Sequence, residues 1–80
     1  MKYVYLLQSI AFPNQRYVGI TNNLERRLST HNYGNSPHTA KYAPWRLVTS
    51  IQFSSNNHAI AFERYLKSGS GRAFAQKHLW

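Results

Sequence analysis

Two short stretches near the start of the chain decide its fold: KYVYLLQ over residues 2–8 and RYVGI over residues 16–20. In each stretch the side chains alternate with a period of two, which is the signature of a β-strand. The segment FPNQ at residues 12–15 separates them and carries turn-forming residues. The two stretches therefore predict an antiparallel hairpin in which Tyr5 and Tyr17 share one face.

A helix is predicted directly after the hairpin. Asn22 is expected to be its N-cap, and Glu25 stands where a capping box places its acidic residue. Gly34 suits the C′ position at which such a helix ends. The apolar positions between these limits predict a buried stripe, formed by Leu24, Leu28 and Tyr33.

The rest of the chain predicts one strand and two helices. The polar segment from Asn35 to Lys41 is expected to be a surface loop, and residues 45–53 alternate like a third strand. Residues 58–67 and 72–78 predict helices. We expect one α/β domain over residues 1–80, with a three-stranded antiparallel sheet flanked by helices in the order β-β-α-β-α-α.

The composition predicts a folded, strongly basic protein. Hydrophobic residues make up 42% and aromatic residues 15% of the 80 residues, which is more than a disordered basic tail contains. Ten Lys and Arg stand against two acidic residues, and the net charge of +8 favours nucleic acid as the partner. Charge alone also allows a merely soluble basic protein or one that contacts anionic lipid. The absence of cysteine excludes disulfides and thiolate metal sites.

The cellular location can be predicted only from missing signals. Met1 and Lys2 lead into an alternating pattern rather than into the apolar run of a signal peptide. No stretch reaches the roughly 20 apolar residues that a membrane helix needs, so no membrane role is expected. We expect a cytoplasmic protein associated with the nucleoid.

An ordered set of motifs carries a family resemblance. Tyr3-Val4-Tyr5 and Tyr17-Val18-Gly19 are followed by Arg27 on the first helix and by ERYLKSG at residues 63–69 on a later one. This set resembles the GIY-YIG nuclease superfamily, in particular its small stand-alone bacterial members and the N-terminal domain of excinuclease C. Two positions depart from that pattern. Tyr3 stands where the motif has glycine, and the asparagine seen beyond the glutamate in some members has no counterpart near Ala75 and Gln76.

The resemblance implies a DNA endonuclease with a single divalent-metal site, occupied by Mg²⁺ or Mn²⁺. Glu63 matches the metal ligand of the family. Since Mg²⁺ keeps several waters and is usually bound by one or two carboxylates plus substrate phosphate, one glutamate is sufficient. The other matching positions, which the resemblance implies to be catalytic, are Tyr5, Tyr17, Arg27 and His31.

The residue types suit this chemistry. Tyr17 is the candidate general base for water, helped by Tyr5, although a phenol with a pKa of about 10 needs activation by nearby cations. Arg27 and His31 lie one turn apart on a helix, so both are expected to face the same phosphate. Gly19 lets substrate or a helix approach the sheet closely. Further phosphate contacts are expected from Lys41, Arg46, Lys67 and Arg72.

Each of these residues also has an ordinary structural interpretation. The tyrosines are common in strands, Arg27 could be solvated, and His31 could cap a helix end. Glu63 could simply pair with Lys67, and Gly19 could mark a β-bulge. The three other histidines lack the spacing of a zinc site. Only the joint occurrence of the groups, in order, favours catalysis.

The sequence therefore predicts a metal-dependent endonuclease that selects DNA by structure or through a protein partner, in DNA repair or processing. No element for reading base edges is recognised, and phosphate contacts do not specify sequence. One alternative is a non-catalytic nucleic-acid-binding module on the same fold. Another is an RNA-binding protein that uses exposed aromatic side chains as stacking platforms, with RNA the less favoured partner.

Overall fold

The computed structural model describes residues 1–34 and 36–80. Three strands, β1 (Lys2–Ser9), β2 (Arg16–Thr21) and β3 (Trp45–Phe53), form one antiparallel sheet in the order β2-β1-β3. The predicted three-stranded antiparallel sheet is confirmed, and β3 has the predicted bounds. Because β1 lies in the centre, it hydrogen-bonds on both sides and positions the other two strands.

Within the described residues, four helices surround the sheet: α1 (Leu24–Asn32), α2 (Pro37–Ala40), α3 (Asn56–Leu66) and α4 (Gly69–His78). The predicted flanking by helices is confirmed, although α2 was not foreseen. None of the helices within the described residues has the length and apolar character needed to span a membrane.

Both faces of β1 are buried, because its alternating side chains enter two separate hydrophobic clusters. On one face, Val4 and Leu6 pack against α3 and α4; the other buried members of this cluster are Ala59, Leu66 and Ala75. On the opposite face, Tyr5 and Leu7 pack with Trp45, and α1 covers them. The sheet is thus the middle layer between α1 on one side and the α3–α4 pair on the other.

The start of α1 differs from the expectation. Asn23, not Asn22, is the N-cap, and its side chain accepts from the backbone N–H of Arg26 at 3.0 Å. The predicted capping box is therefore wrong, since the third helical position is Arg26 rather than Glu25. Two adjacent asparagines can both cap a helix, and Thr21 favours the second one, because its Oγ1 accepts from the backbone N–H of Asn23 at 3.1 Å.

The end of α1 confirms one expectation and corrects another. Gly34 has a positive φ of 75° directly after the C-cap, as predicted for a C′ residue. Tyr33, expected in the buried stripe, is the C-cap and is 81% exposed. The helix ends before the stripe reaches it, so Leu24 and Leu28 are the members of the expected stripe that pack on the sheet.

The segment predicted as a surface loop contains α2, so that interpretation is wrong for residues 37–40. Pro37 stands in the first turn, where proline is favoured because its missing N–H has no intrahelical partner there. Asn35, the first residue of the predicted loop, lies outside the described residues. α2 matters for the site because it carries the buried Thr39.

The last two helices begin earlier than predicted. Serine side chains cap both of them: Ser55 accepts from the N–H of His58 at 3.3 Å, and Ser68 accepts from the N–H of Gly71 at 3.2 Å. Each serine therefore starts its helix at the next residue, Asn56 or Gly69. The two helices approach each other closely at Gly71, because a Cβ there would collide with the Tyr65 carbonyl.

Candidate active site

The strand pairing brings the two motif tyrosines together, as the hairpin predicted. Tyr5 pairs with Gly19 and Leu7 with Tyr17, so the tyrosine side chains project from the same face with ring centroids 6.1 Å apart. A Cβ at position 19 would lie 2.5 Å from Cζ of Tyr5 and 2.9 Å from Cε2 of Tyr17. Glycine is therefore required so that the phenol of Tyr5 can lie across β2. The pairing through this position is continuous, so the β-bulge interpretation is wrong.

The Tyr5 hydroxyl has two hydrogen-bond partners on α1. It lies 3.0 Å from Nε2 of His31, and Nε of Arg27 donates to it over 3.4 Å. Since a guanidinium can only donate, the acceptor available to the phenolic proton in this pair is Nε2 of His31. The ring of His31 then carries its own proton on Nδ1, which faces the Thr39 hydroxyl at 2.7 Å.

His31 is fully buried at 0% exposure, enclosed by the two tyrosine rings and by Thr39. Thr39 is in turn fixed by its backbone carbonyl, which accepts from Nε1 of Trp45 at 2.8 Å. The expectation that His31 faces a phosphate together with Arg27 is therefore wrong in its geometry. His31 contacts Tyr5 instead, because α2 closes over the face of α1 that it occupies.

The surroundings keep the buried groups uncharged. Burial raises the pKa of Tyr5, and the hydrogen bond from Arg27 only partly opposes this. Burial and the positive charge of Arg27 both lower the pKa of His31. The hydrogen bond to Tyr5 is the main reason why the pKa of Arg27 rises. At neutral pH the site therefore contains a neutral phenol, a neutral imidazole and one permanent cation.

Tyr17 differs from Tyr5 because it is only half-buried and is one of the residues that line a surface groove. The groove has a volume of about 510 Å³ and runs between β2 and the α3–α4 corner. Two of the predicted phosphate contacts, Lys67 and Arg72, line it together with Tyr17. The structure thus brings one candidate catalytic group and two candidate binding groups to the same concave surface.

Glu63 forms an ion pair with Lys67, and Lys67 is one of the residues that line this groove. Oε2 of Glu63 is 2.6 Å from Nζ of Lys67, and the glutamate side chain is 15% exposed against 55% for the lysine. The interpretation of Glu63 as half of an i, i+4 pair is thus confirmed. A pair with one exposed partner contributes only a few tenths of a kcal/mol, so a competing cation could displace the lysine.

The donors present fit a weak site for a hard divalent cation. Among the described residues no group of three or more histidine, cysteine or acidic side chains could hold a metal. The carboxylate next to the groove is that of Glu63, the ion-pair partner of the groove residue Lys67. One or two carboxylates with water and substrate phosphate is the usual set for Mg²⁺. Such a site would be completed only when a phosphate lies in the groove.

The two other predicted phosphate contacts lie elsewhere. Nη2 of Arg46 donates to Oε1 of Gln8 at 2.6 Å on the sheet. Nζ of Lys41 stands 5.4 Å above the ring of Tyr42 after α2. Neither residue lines the groove. Their predicted role in binding has no support from the groove geometry.

Three groove residues were missed by the sequence analysis: Arg16, Gln76 and Trp80. The Arg16 guanidinium lies 4.7 Å from the centroid of the Trp80 ring, and its Nη1 donates to Oε1 of Gln76 at 2.8 Å. Sixty positions separate Arg16 from Gln76. The only local signal was that Arg16 directly precedes the motif tyrosine Tyr17 on β2.

Comparisons with known proteins agree with this geometry. The GIY-YIG catalytic domain family matches residues 1–77. The UPF0213 protein of Limosilactobacillus reuteri is 36% identical over 73 residues, which cover 88% of this chain and 74% of that protein. The solution NMR structure of the UPF0213 protein BH0048 from Bacillus halodurans superposes with a TM-score of 0.57 at 32% identity, covering 95% of this chain and 81% of that one.

A larger relative has a name that states an activity. The structure-specific endonuclease subunit SLX1 of Debaryomyces hansenii is 38% identical over 71 residues, which cover 80% of this chain. The SLX1 homolog of Giardia intestinalis is 37% identical over 65 residues. The chain spans only 20% and 18% of the lengths of these two proteins. The similarity to them therefore concerns one part of each.

Proposed function

The chain belongs to the GIY-YIG catalytic domain family, and from this premise we propose that it is a divalent-metal-dependent endonuclease that hydrolyses phosphodiester bonds in DNA. One observation carries the proposal. Tyr17 lies at the boundary between the buried Tyr5–His31–Arg27 network and a groove lined by cations. A water molecule in that groove would lie near Tyr17, and a DNA phosphate there would lie near Lys67 and Arg72.

In this proposal Tyr17 takes the proton from the attacking water. It is the motif tyrosine that is only half-buried and lines the groove. Tyr5 cannot share this role directly, because it is 2% exposed and burial raises its pKa. Its hydroxyl acts on Arg27 instead, by accepting from Nε and so fixing the direction of the guanidinium.

Arg27 and the groove cations stabilise the negative charge of the phosphate. The hydrogen bond to Tyr5 uses only Nε of Arg27, so the two Nη groups can form the forked contact that a phosphate accepts. Lys67 and Arg72 add positive charge at the wall formed by α3 and α4. Fixed charges of this kind are usually the largest contribution to such reactions.

Glu63 is the residue that would hold Mg²⁺ or Mn²⁺. A divalent metal held there would supply positive charge to stabilise the leaving oxygen. Glu63 would hold it after separating from the Lys67 ammonium, and this separation costs little because the lysine is exposed. The released lysine can then pair with a phosphate of the DNA.

The choice of substrate is proposed to depend on DNA structure or on a partner protein, in repair or processing. Two relatives, each matched over one part, are named structure-specific endonuclease subunits. The net charge of +8 supports binding to the phosphate backbone, which carries no sequence information. A cytoplasmic, nucleoid-associated location is part of the proposal, with DNA favoured over RNA.

One observation favours the alternative, a non-catalytic nucleic-acid-binding module. The Glu63 carboxylate is paired with Lys67, so in this alternative the pair is permanent and lies beside a basic groove. The two functions are distinguished by turnover. A binding module would retain DNA at low salt and cut none of it.

The test is cleavage of plain, nicked, flapped and branched DNA at low salt with Mg²⁺ or Mn²⁺. Wild type is compared with two variants, Glu63→Gln and Glu25→Gln. Glu25 is the only other acidic residue of the chain, and it lies exposed on α1. We expect wild type and Glu25→Gln to cut and Glu63→Gln to be inactive. Equal cutting by all three proteins would remove Glu63 from the mechanism. Binding without cutting by all three would favour the binding module.

A further inference from the structure

Arg16 lies over an aromatic ring at the rim of the groove. Its guanidinium lies 4.7 Å from the centroid of the Trp80 ring and donates to Gln76 at 2.8 Å. A guanidinium has five N–H donors in one plane, and Gln76 accepts from one nitrogen. The side chain of an exposed arginine is normally mobile, whereas these two contacts restrict it. The result is a planar, positively charged surface beside Tyr17.

The groove combines this surface with apolar and cationic walls. Its apolar lining is contributed by Val18, Leu66 and Ala75. Lys67 and Arg72 supply positive charge from the α3–α4 corner. The volume of about 510 Å³ falls within the range of roughly 300–1,000 Å³ for small-molecule sites. A flat apolar group attached to an anion matches these walls, and a nucleotide is such a group.

We propose that the groove binds an unpaired nucleotide of the DNA substrate, with the base stacked on the Arg16–Trp80 pair and its phosphate at Lys67 and Arg72. Unpaired bases in single strands stack on aromatic rings and on guanidinium planes. The amide nitrogen of Gln76 can donate to the edge of the base, because only its oxygen is used by Arg16. This inference rests on the proposed nuclease function and specifies its substrate class.

The geometry excludes a fully paired base from this position. In a duplex both faces of each base are covered by its neighbours, so no face remains for Arg16 to stack on. A flap, a gap or a branch point provides an unstacked base next to a phosphate. Since Tyr17 lines the same groove, the unpaired nucleotide would lie beside the phosphate to be cut. The chain would thus select branched DNA without reading its sequence.

Binding without metal tests this inference separately from catalysis. In EDTA, the affinity for a plain duplex is compared with that for the same duplex carrying an oligothymidine flap, at one fixed salt concentration. Arg16→Lys keeps the charge and removes the planar group. Arg64→Lys is the matched control, because Arg64 is exposed on α3 and does not line the groove. Tryptophan emission gives a second readout, since Trp45 is buried and only Trp80 can contact the flap base.

We expect wild type and Arg64→Lys to prefer the flapped duplex, and Arg16→Lys to lose about tenfold in affinity for the flap with little change for the plain duplex. Flap binding should also quench the emission of wild type. Equal affinity of wild type for both DNAs, or equal flap binding by the two lysine variants, would overturn the inference. If DNA is then still cut with metal, only the inference fails. A flap preference without any cleavage would leave the groove assignment intact and remove the nuclease proposal.

Discussion

The hydroxyl of Tyr5 lies 3.0 Å from Nε2 of His31, and this contact joins the central strand of the sheet to α1. Both side chains are buried, so neither can hydrogen-bond to solvent, and the hydrogen bond between them takes the place of one to water. In the described part of the chain, every buried side-chain nitrogen and oxygen has a hydrogen-bond partner. The network around Tyr5 is therefore complete, and removing one member leaves another without a partner.

Replacement of Tyr5 by phenylalanine tests whether the hydrogen-bond network around Tyr5 needs all of its members. The variant leaves Nε2 of His31 buried without a donor and Nε of Arg27 without an acceptor, so we expect a loss of about 1–3 kcal/mol in the free energy of unfolding. Cleavage should fall at least about tenfold, because Arg27 is no longer fixed. Denaturant unfolding and DNA cleavage measure the two effects. Tyr3→Phe, a control on the same strand, should stay near wild type in both.

His31 should make stability depend on pH. Its pKa is lowered in the folded protein, so below about 6.5 the unfolded chain binds a proton more readily than the folded one. The stabilisation is therefore complete above this pH and is lost as the pH falls. We expect the unfolding free energy of wild type to decline on acidification and that of His31→Gln to decline less. His58→Gln, which changes an exposed histidine, should keep the wild-type slope; a wild-type slope in His31→Gln would contradict the assignment.

Arg27→Ala should abolish cleavage and leave the protein folded, because the guanidinium is only half-buried. The charge of Arg27 helps to lower the pKa of His31, so NMR titration of the variant should show that pKa closer to its usual value. Arg26→Ala, one position earlier on the exposed side of α1, serves as the control. Full activity of Arg27→Ala with an unchanged His31 titration would show that Arg27 has neither role.

Gly19→Ala should distort the site from within the sheet. The added methyl would lie 2.5 Å from Cζ of Tyr5, a distance that real Cβ atoms do not show, so the tyrosine rings must move. We expect a loss of about 1–3 kcal/mol in stability and a marked loss of cleavage. Gly69→Ala is the matched control, because a Cβ there meets no atom within 4 Å. Wild-type cleavage by Gly19→Ala would show that the closeness of Tyr5 to β2 is not needed.

Sequence reasoning was most successful where the signal is local. The alternation over residues 45–53 gave the bounds of β3, and the order of the tyrosines, Arg27 and Glu63 identified the family later supported by the match over residues 1–77. Strand pairing then places Tyr5 beside Tyr17 without further information. These features depend on neighbouring residues or on a period of two, both of which are visible in the sequence.

Long-range packing explains what could not be predicted. The burial of His31 depends on α2 and on Thr39, eight positions away, in a segment whose polar composition suggested a loop. The contact of Arg16 with Gln76 crosses almost the whole chain and follows no periodic pattern. The starts of three helices, which are capped by Asn23, Ser55 and Ser68, were missed by one to three positions, because several nearby residues can cap a helix.

The site has a buried part, around Tyr5 and His31, and an exposed part at the rim of the groove, and the two parts differ in how they tolerate substitution. Tyr5 and His31 belong to the core as much as to the site, so substitutions there lower activity and stability together. Arg16, Arg72 and Gln76 are exposed at the rim of the groove, where replacements leave the core intact. Under the proposed function, evolution or protein engineering can therefore alter which DNA is chosen at little cost to folding, while the chemistry itself stays fixed.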